Sequence, residues 1–274
     1  MEAHDLWLIP LGVFVGAFGT LVGTGGGFIL VPVLLLLYPD EDPERLTAIS
    51  LLVVCLNAVS GSVAYGRQRR IDYRSAAWFA AGTLPGAVAG ALLVGYIPRR
   101  AFDALFAGVL ITLGVLLMLR SQSNAIRNPV TGRGVVRRMI TDRAGNTFVY
   151  SFQVWKGVAI SGGVGFISTL LGIGGGVVHV PVMTTVLHFP VHIATATSQL
   201  VLAVMTAEGT GVHIATGALG WNSDLGTAAL LSAGAIPGAQ VGALAARRMR
   251  GGIIIRVLAG ALVVVGGRLA LKAV

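Results

Sequence analysis

Long apolar segments follow one another along almost the whole of this chain, and they restrict its fold more than any other feature. Six of the eight segments contain 19 to 25 residues, and a helix of about 20 residues spans the ~30 Å hydrocarbon core of a bilayer. Charged residues make up 11% of the chain, whereas a soluble domain has about 25%. The segments cover 6–38, 47–66, 75–96, 101–119, 153–187, 192–216, 225–246 and 253–271. We therefore predict an all-α fold, that of a polytopic helical membrane protein.

Two of the segments are too long for a single membrane-spanning helix. Segments 6–38 and 153–187 contain 33 and 35 residues, and either would be about 50 Å long as one helix. Each contains a glycine run, Gly23-Thr24-Gly25-Gly26-Gly27 in the first and Gly172-Ile173-Gly174-Gly175-Gly176 in the second. Because glycine permits sharp turns and close approach to the main chain, we predict a broken helix at each run.

Each break is a candidate substrate site. The apolar pieces 28–38 and 177–187 can be helical, and a helix N-terminus binds anions through its unpaired N–H groups and its partial positive charge. The alternative is that the glycines only allow tight helix packing, but two runs in matching positions favour a site. The substrate-binding residues predicted at the breaks are Thr24, Gly25, Gly26, Gly27, Gly174, Gly175 and Gly176.

Both breaks belong to an internal repeat. Residues around the first break recur at an offset of 149, as Thr20 does in Thr169, and later matches hold at offsets of 148 and 152. A register that persists over whole halves indicates a duplicated bundle. The sequence therefore predicts two homologous transmembrane halves, 1–119 and 153–274, joined by a basic cytoplasmic connector, 120–152.

The connector and the other loops bear on topology. The connector contains a turn signal, Asp142-Arg143-Ala144-Gly145-Asn146, so we expect a small hairpin there. If each broken segment enters the membrane and returns, the chain makes ten passes, the halves are inverted, and 14 Lys and Arg residues lie inside against five outside. Eight passes give 13 against six, so charge alone hardly separates the two arrangements. The acidic segments 1–5 and 40–44 favour ten passes, with both segments outside.

Polar side chains within the apolar segments are further candidates. Ser50 and Asn57 share one face of a predicted helix, and Ser198, the repeat partner of Ser50, is followed by Gln199. Such groups face the protein interior, either as hydrogen bonds between helices or as donors to an oxyanion. Both alternatives stay open; under the second, all four are substrate-binding residues.

Three titratable residues, His179, Glu208 and His213, are candidates for proton coupling. Glu208 is the only carboxylate deep within an apolar segment, where such groups often serve ion or proton transfer, and histidine titrates near neutral pH. The alternative for each is a structural, hydrogen-bonded role. Glu208 lies nine positions after Gln199, on the opposite side of an ideal helix. It can reach the same cavity only if the glycines beside it distort the helix.

The motif Gly-x-Gly-Gly-Gly followed by Val-Pro occurs twice, at 23–32 and 172–181, and the second copy is followed by the sequence Ala-Thr-Ala-Thr-Ser-Gln at 194–199. This combination resembles the TauE/SafE sulfite exporter family, also called the toluene sulfonate uptake permeases, over nearly the whole chain. The resemblance implies a multi-spanning permease for sulfite, thiosulfate, sulfonates, sulfoacetate or related small anions. Thr24 and His179 depart from the family pattern near the site, so no single member's substrate carries over.

The predicted function is that of a permease moving a small sulfur-containing or organic anion by alternating access, coupled to protons or another ion, in the cytoplasmic (inner) membrane. A passive anion channel is the alternative. We expect no enzyme, metal site or cofactor, because no nucleophile–base pair or ligand spacing is present. The net charge of +9 lies in loops and at segment edges, which argues against nucleic-acid binding. The expected partners are the small anion and the lipid bilayer, and a homodimer stays open.

Overall fold

Helices occupy the predicted apolar segments in a computed structural model that describes residues 6–119, 134–220 and 223–273. The acidic N-terminus, 1–5, and the first part of the basic connector, 120–133, lie outside these described residues. The helices are α1 (Leu8–Val22), α2 (Gly27–Leu37), α3 (Pro43–Arg67), α4 (Tyr73–Leu93), α5 (Arg99–Leu119), α6 (Val154–Leu170), α7 (Gly176–Thr185), α8 (Val191–Thr216), α9 (Ser223–Arg248) and α10 (Gly251–Ala273). The prediction of an all-α polytopic fold with two broken helices is confirmed.

A two-stranded hairpin lies between α5 and α6. Strand β1 (Val135–Thr141) pairs antiparallel with β2 (Thr147–Gln153), and the predicted turn joins them. Tyr150 and Phe152 are buried, with ring centroids 4.4 and 4.8 Å from that of Phe189. The hairpin therefore packs onto the helical bundle through one aromatic face.

The chain reverses direction at both glycine runs. Phe18 and Phe28 would be about 15 Å apart along a straight helix, but their ring centroids are 6.2 Å apart. Likewise, Oγ of Ser161 lies 3.3 Å from Nε2 of His179, although a straight helix of that length would span about 27 Å. Helix α1 therefore forms a helical hairpin with α2, and α6 forms one with α7.

The first helical hairpin packs on a helix from the other end of the chain. A β-carbon added to Gly12 of α1 would lie 2.9 Å from the carbonyl carbon of Leu231, and one added to Gly242 of α9 would lie 3.0 Å from Cα of Ala17. Small residues allow such close approach of two backbones in membranes. Because residue numbers rise together along the two helices, α1 and α9 run parallel.

The second helical hairpin makes the matching contact with α4. A β-carbon on Gly82 would lie 3.2 Å from Cα of Val158, and Gly90 abuts Phe166 in the same way, so α6 runs parallel to α4. An ion pair between Arg45 and Asp224 places the start of α9 beside the start of α3, whereas α4 starts where α3 ends. Helices α4 and α9 are therefore antiparallel, and so are α1 and α6.

Helices α3 and α8 form the centre of this arrangement, because they pack against each other while α9 packs on α3 and α4 packs on α8. Among the described residues, five helices are long and apolar enough to cross a membrane: Pro43–Arg67, Tyr73–Tyr96, Arg99–Leu119, Asp224–Arg248 and Gly251–Leu271. Helix α8 has 26 residues, but its many polar side chains lower its mean hydropathy. Large exposed side chains such as Leu116, Val264 and Leu244 are apolar, as a surface in contact with lipid requires. Most polar residues of α8, Gln199 and Thr206 among them, are buried and face the interior of the bundle.

Candidate substrate site at the two helix breaks

The two glycine runs are in direct contact with each other. A β-carbon added to Gly27 would lie 2.7 Å from the carbonyl oxygen of Gly172, and one added to Gly176 would lie 2.5 Å from Cα of Thr24. The contact is reciprocal, since the start of each short helix abuts the turn of the other break. Only glycine fits at these two positions, because any side chain would collide with the backbone.

Neither short helix has a side-chain cap at its N-terminus. Helix α2 begins after Gly26, with a φ of 88°, and α7 begins after Gly175, with a φ of 80°; both lie in the left-handed region that favours glycine. Within the described part of the chain, the amides of Gly27, Phe28 and Val177 have no hydrogen-bond acceptor. Buried amides are almost always paired, and a helix N-terminus carries a partial positive charge. These amides therefore suit an anion.

Side chains from both halves surround the first break, and we call Thr20, Asn57 and Gln199 the polar cluster. Nδ2 of Asn57 donates to the carbonyl oxygen of Gly25 at 3.0 Å, and its Oδ1 accepts from the hydroxyl of Thr20 at 3.4 Å. A β-carbon on Gly61 would lie 3.1 Å from Nε2 of Gln199. Gln199 of α8 thus reaches α3 through the space that Gly61 leaves open. Two residues predicted to bind substrate, Asn57 of α3 and Gln199 of α8, therefore both lie at this break.

Several buried polar atoms around the two breaks have no partner among the described residues. Gln199 is fully buried, yet neither its Oε1 nor its Nε2 makes a hydrogen bond among the described residues. The buried hydroxyl of Ser198 also has none, and neither has that of Ser168, which lies 3.0 Å from a β-carbon placed on Gly175 at the second break. A buried polar group left unsatisfied costs about 1–3 kcal/mol, and native proteins pair nearly all of them. A small polar ligand would satisfy these groups.

Two other predicted residues are engaged by the backbone of the breaks. The hydroxyl of Ser50 donates to the carbonyl oxygen of Gly172 at 2.9 Å. The hydroxyl of Thr24 donates to the carbonyl oxygen of Gly19 at 3.4 Å. Ser50 and Thr24 therefore hold the turns of the two breaks, and their direct contact with a substrate stays a prediction.

His179 belongs to a different group of side chains. It lies in the first turn of α7, packs edge-on against Phe79 with ring centroids 5.5 Å apart, and places Nε2 3.3 Å from the hydroxyl of Ser161. Its Nδ1 has no partner among the described residues. The aromatic face of the β-hairpin continues this group, since Phe152 also packs against Phe79. His179 thus links the second break to the hairpin and lies apart from the polar cluster.

Glu208 and His213 lie elsewhere on α8. The helix is continuous from Val191 to Thr216, so Glu208 stays on the side opposite Gln199, and its half-buried carboxylate leaves Oε2 without a partner in the described structure. His213 is about 21 Å beyond Gln199 along the helix, and its Nδ1 lies 4.0 Å from Oε1 of Glu44. The three titratable candidates therefore occupy three separate places.

A family model described as sulfite exporter TauE/SafE matches residues 8–269, which include both breaks and the polar cluster. The chain belongs to the TauE/SafE sulfite exporter family. It is 32% identical over 268 residues to the probable membrane transporter protein YunE of Bacillus subtilis (strain 168), and the match covers 96% of each chain. It is 25% identical over 235 residues to the probable membrane transporter protein MJ0441 of Methanocaldococcus jannaschii, covering 82% of this chain and 80% of that relative. No solved structure matches the chain.

The TauE/SafE assignment confirms the resemblance that the doubled glycine motif predicts. Together with the apolar helices, it makes the chain a multi-pass membrane transporter. The names of both relatives specify transport without a substrate. What this TauE/SafE member carries must therefore be inferred from the groups that surround the breaks.

Two residues of the site in this TauE/SafE member were not predicted as site residues from the sequence. Thr20 belongs to the polar cluster, and Gly61 makes the gap that Gln199 fills. The available signal was the repeat, because Thr20 recurs as Thr169 and Gly61 as Gly209. Repetition of a threonine and a glycine in register indicates positions where the backbone geometry of both halves depends on those residue types.

Proposed function

We propose that this chain is a permease that carries a small sulfur-containing or organic oxyanion across the cytoplasmic membrane by alternating access. The observation that carries the proposal is the group of buried donors without acceptors at the breaks. It comprises the side-chain amide of Gln199, the hydroxyl of Ser198 and the amides of Gly27 and Phe28. One small anion between the helix N-termini would accept hydrogen bonds from several of them at once.

The kind of donor supports this substrate class. Backbone amides, amide side chains and hydroxyls are neutral, so they can bind and release an anion without separating a buried ion pair. Sulfite, thiosulfate, sulfonate and sulfoacetate groups present several oxygens in a compact arrangement that accepts hydrogen bonds from different directions. A helix N-terminus stabilises such groups through its N–H groups and its dipole. The surroundings suit an oxyanion better than a cation or an apolar molecule.

The helix pairing supports alternating access. The antiparallel directions of α1 and α6 fit inverted repeats, which in transporters rock about a central site. Apolar side chains fill the space next to the polar cluster, since a β-carbon on Gly25 would lie 2.7 Å from side-chain carbons of both Val54 and Leu202. In the proposed cycle, α1 with α9 and α6 with α4 move as two groups about α3 and α8. This movement separates Val54 from Leu202 and opens the site to one face at a time.

Proton coupling is part of the proposal. Glu208 is the first candidate because it is half-buried within α8 and its Oε2 has no partner among the described residues. His213 is the second. It lies near the end of α8, where it faces Glu44 of α3. His179 is the third, because it lies in the first turn after the second break. An ionisable residue within a membrane span commonly serves such a transfer.

Flux in proteoliposomes tests the function directly. Labelled sulfite, sulfate, thiosulfate, sulfoacetate and taurine are offered with and without an imposed pH gradient. We expect saturable movement of one of them, driven by the gradient and lost in Glu208→Gln. Saturable movement that does not depend on the gradient would support a permease and would contradict proton coupling through Glu208, His213 or His179. Currents at channel rates would favour a passive channel, and transport of metal ions alone would overturn the substrate class.

A further inference from the structure

A basic pocket of about 590 Å³ lies at the face of the bundle that carries the β-hairpin. It is bounded by the ends of α3 and α9 and by the turn of the hairpin. Its charged lining consists of four arginines, Arg67, Arg70, Arg143 and Arg247, and one carboxylate, Asp142. The pocket shares no residue with the glycine runs or with the polar cluster, so it is a separate feature of the molecule.

Most of the positive charge in this pocket is uncompensated. Nη2 of Arg70 lies 2.9 Å from Oδ2 of Asp142, and this pair neutralises one arginine. Among the described residues, no carboxylate lies within 4.0 Å of the guanidinium nitrogens of Arg67, Arg143 or Arg247. Three arginines that converge on one concave space create a positive potential that favours an anion there.

Arg70 also supplies a donor that faces no acceptor. Its side chain is buried at 4% exposure, and both Nε and Nη2 donate to Asp142. Nη1 is buried and has no hydrogen-bond partner among the described residues. Because Arg70 lines the pocket, an anion bound there would supply the missing acceptor.

We propose that this pocket is a second anion site, which binds a tetrahedral oxyanion of the sulfate or phosphate type. Arg70 would donate from Nη1, and the exposed guanidinium groups of Arg67 and Arg247 would close on the remaining oxygens. Arginine suits this role because its planar group donates two parallel hydrogen bonds to such oxygens. A free ion and the phosphate headgroup of an anionic lipid share this chemistry.

The wall that the hairpin contributes is held in place. Oδ1 of Asp142 accepts from the amides of Ala144 and Asn146, each at 2.9 Å, which fixes the turn. The amide of Arg143 donates to the carbonyl oxygen of Gln68 at 3.0 Å, which joins the turn to the end of α3. The pocket is therefore preorganised, and an anion would not have to order a loop in order to bind.

The pocket lies next to the polar cluster. Gln240 lines the pocket and donates to the carbonyl oxygen and to the hydroxyl of Ser60, each at 2.8 Å. Ser60 immediately precedes Gly61, the residue that Gln199 contacts. An anion in the pocket would thus be one side-chain layer from the breaks, in a position to load them. This loading role rests on the proposed function, whereas anion binding in the pocket does not.

Titration of sodium sulfate into the purified full-length protein tests the site. The calorimetric titration is performed in a neutral detergent, with sodium chloride holding the ionic strength constant. We expect the double variant Arg67→Gln/Arg247→Gln to weaken binding at the pocket at least tenfold, because two charge-assisted hydrogen bonds are lost. The control is Arg248→Gln, which removes the same charge from the next residue of α9, outside the pocket lining. It should alter the affinity less than twofold.

Two results would overturn the second site. One is sulfate binding in the double variant that equals that of the unaltered protein. The other is an equal loss in Arg248→Gln, since that would show only a diffuse effect of surface charge. The variant Gln199→Leu separates the pocket from the breaks, because it should leave the pocket isotherm in place. If sulfate binding follows the arginines while no anion is transported, the second site stands and the proposed function fails.

A lipid series identifies the source of the oxyanion. The same titration is repeated in nanodiscs of phosphatidylcholine and of phosphatidylglycerol. Sulfate binding that persists in both assigns the pocket to a free ion. Binding that is present in phosphatidylcholine and lost in phosphatidylglycerol assigns it to a lipid headgroup. Binding that is absent from both, after being present in detergent, would contradict a site in the membrane-embedded protein.

Discussion

The two helix breaks have matching glycine runs and different surroundings. The first break lies beside Asn57 and Gln199. At the repeat offset of 148, the corresponding residues beside the second break are Met205 and Leu51. Cδ1 of Leu51 would lie 3.1 Å from a β-carbon on Gly209, in the position that Gln199 takes against Gly61 in the other half. At these two repeat-related positions, the first break therefore has amide side chains and the second has apolar ones.

This difference distinguishes the features of the candidate site that both halves provide from those that only one half provides. Both breaks offer helix N-termini with unpaired amides, because the glycine runs are the same in kind. Only the first break adds amide side chains. Beside the second, the same two positions hold a thioether and an isobutyl group, and the nearest hydroxyl is that of Ser168, 3.0 Å from a β-carbon placed on Gly175. We therefore expect the substrate to bind closer to the first break, with the second acting mainly through its backbone.

The largest effect on stability is expected from a side chain introduced where the two breaks touch. The two breaks contact each other reciprocally there, so a substitution in either should have a similar effect. Gly27→Val would force carbon atoms against the carbonyl of Gly172, and overpacking against backbone should cost more than about 3 kcal/mol of stability. Gly176→Val should cost about as much. Thermal unfolding in detergent measures both, and Gly108→Val is the control because nothing lies within 4 Å of a β-carbon there. Equal stability of Gly27→Val and Gly108→Val would show that the breaks do not touch.

The next effect distinguishes the two breaks. Gln199→Leu gives the first break the surroundings of the second, and we expect substrate affinity to fall about 100-fold, in line with the loss of a hydrogen bond to a charged group. Met205→Leu changes the second break while conserving volume, and it should alter the affinity less than about twofold. Direct binding and the KM of flux measure both variants. Similar losses in the two would mean that the breaks contribute equally.

The turn of the β-hairpin lies outside both breaks, and its stability should depend on pH, so it serves as a reference for the breaks. Burial opposes ionisation of Asp142, but hydrogen bonds from Arg70 and Asn146 outweigh burial and lower its pKa to about 2. Since this pKa lies below the unfolded value of about 3.9, the carboxylate should stabilise the hairpin by about 2 kcal/mol above pH 4. That contribution is lost as the pH falls towards 2.

Hydrogen exchange measured between pH 6 and pH 2 tests this expected loss of stability in the hairpin. We expect amide protection in the hairpin, corrected for intrinsic exchange rates, to decline over the acidic part of this range. The glycine runs 23–27 and 172–176 contain no titratable side chain, so their protection should not show that decline. Asp142→Asn should remove the pH dependence from the hairpin. A decline of equal size at the glycine runs would assign it to global unfolding.

The smallest effect concerns the support of the first break. Asn57 holds the carbonyl oxygen of Gly25, and Asn57→Met replaces it with the residue found in the other half. We expect affinity to fall about tenfold, because loss of one neutral hydrogen bond costs roughly 1 kcal/mol and Thr20 also loses a partner. The reciprocal change, Met205→Asn, should not restore binding. Recovery in the double variant would contradict the preference for the first break.

Local chemistry made the main features predictable from sequence. The absence of β-carbons in two glycine runs within over-long apolar segments sufficed to locate both breaks. The turn residues 142–146 sufficed to locate the hairpin. The breaks and the turn each depend on residues that are close together along the chain, and the sequence gives those residues directly.

Contacts between distant segments were not predictable in the same way. Helical spacing places Gln199 on a face of α8, but it does not indicate that this face meets Gly61 of α3. The arginines of the basic pocket come from three distant parts of the chain, and in sequence they resemble ordinary loop charges. Ser50 was predicted either to form a hydrogen bond between helices or to donate to the substrate, and its spacing did not indicate that its hydroxyl reaches the carbonyl oxygen of Gly172. In each case the packing of one helix against another decides the partner.

The pairing of α1 with α9 has a consequence for biogenesis. When α6 emerges from the ribosome, its partner α4 is already in the membrane, so the second helical hairpin can dock at once. Helix α1 must wait for α9, which begins about 200 residues after α1 ends. At ordinary rates of synthesis, about 5–20 residues per second, that delay is about 10 to 40 s. The first hairpin to be synthesised is therefore the last to reach its place, and a truncated chain without α9 would leave the glycine face of α1 exposed to lipid or to chaperones.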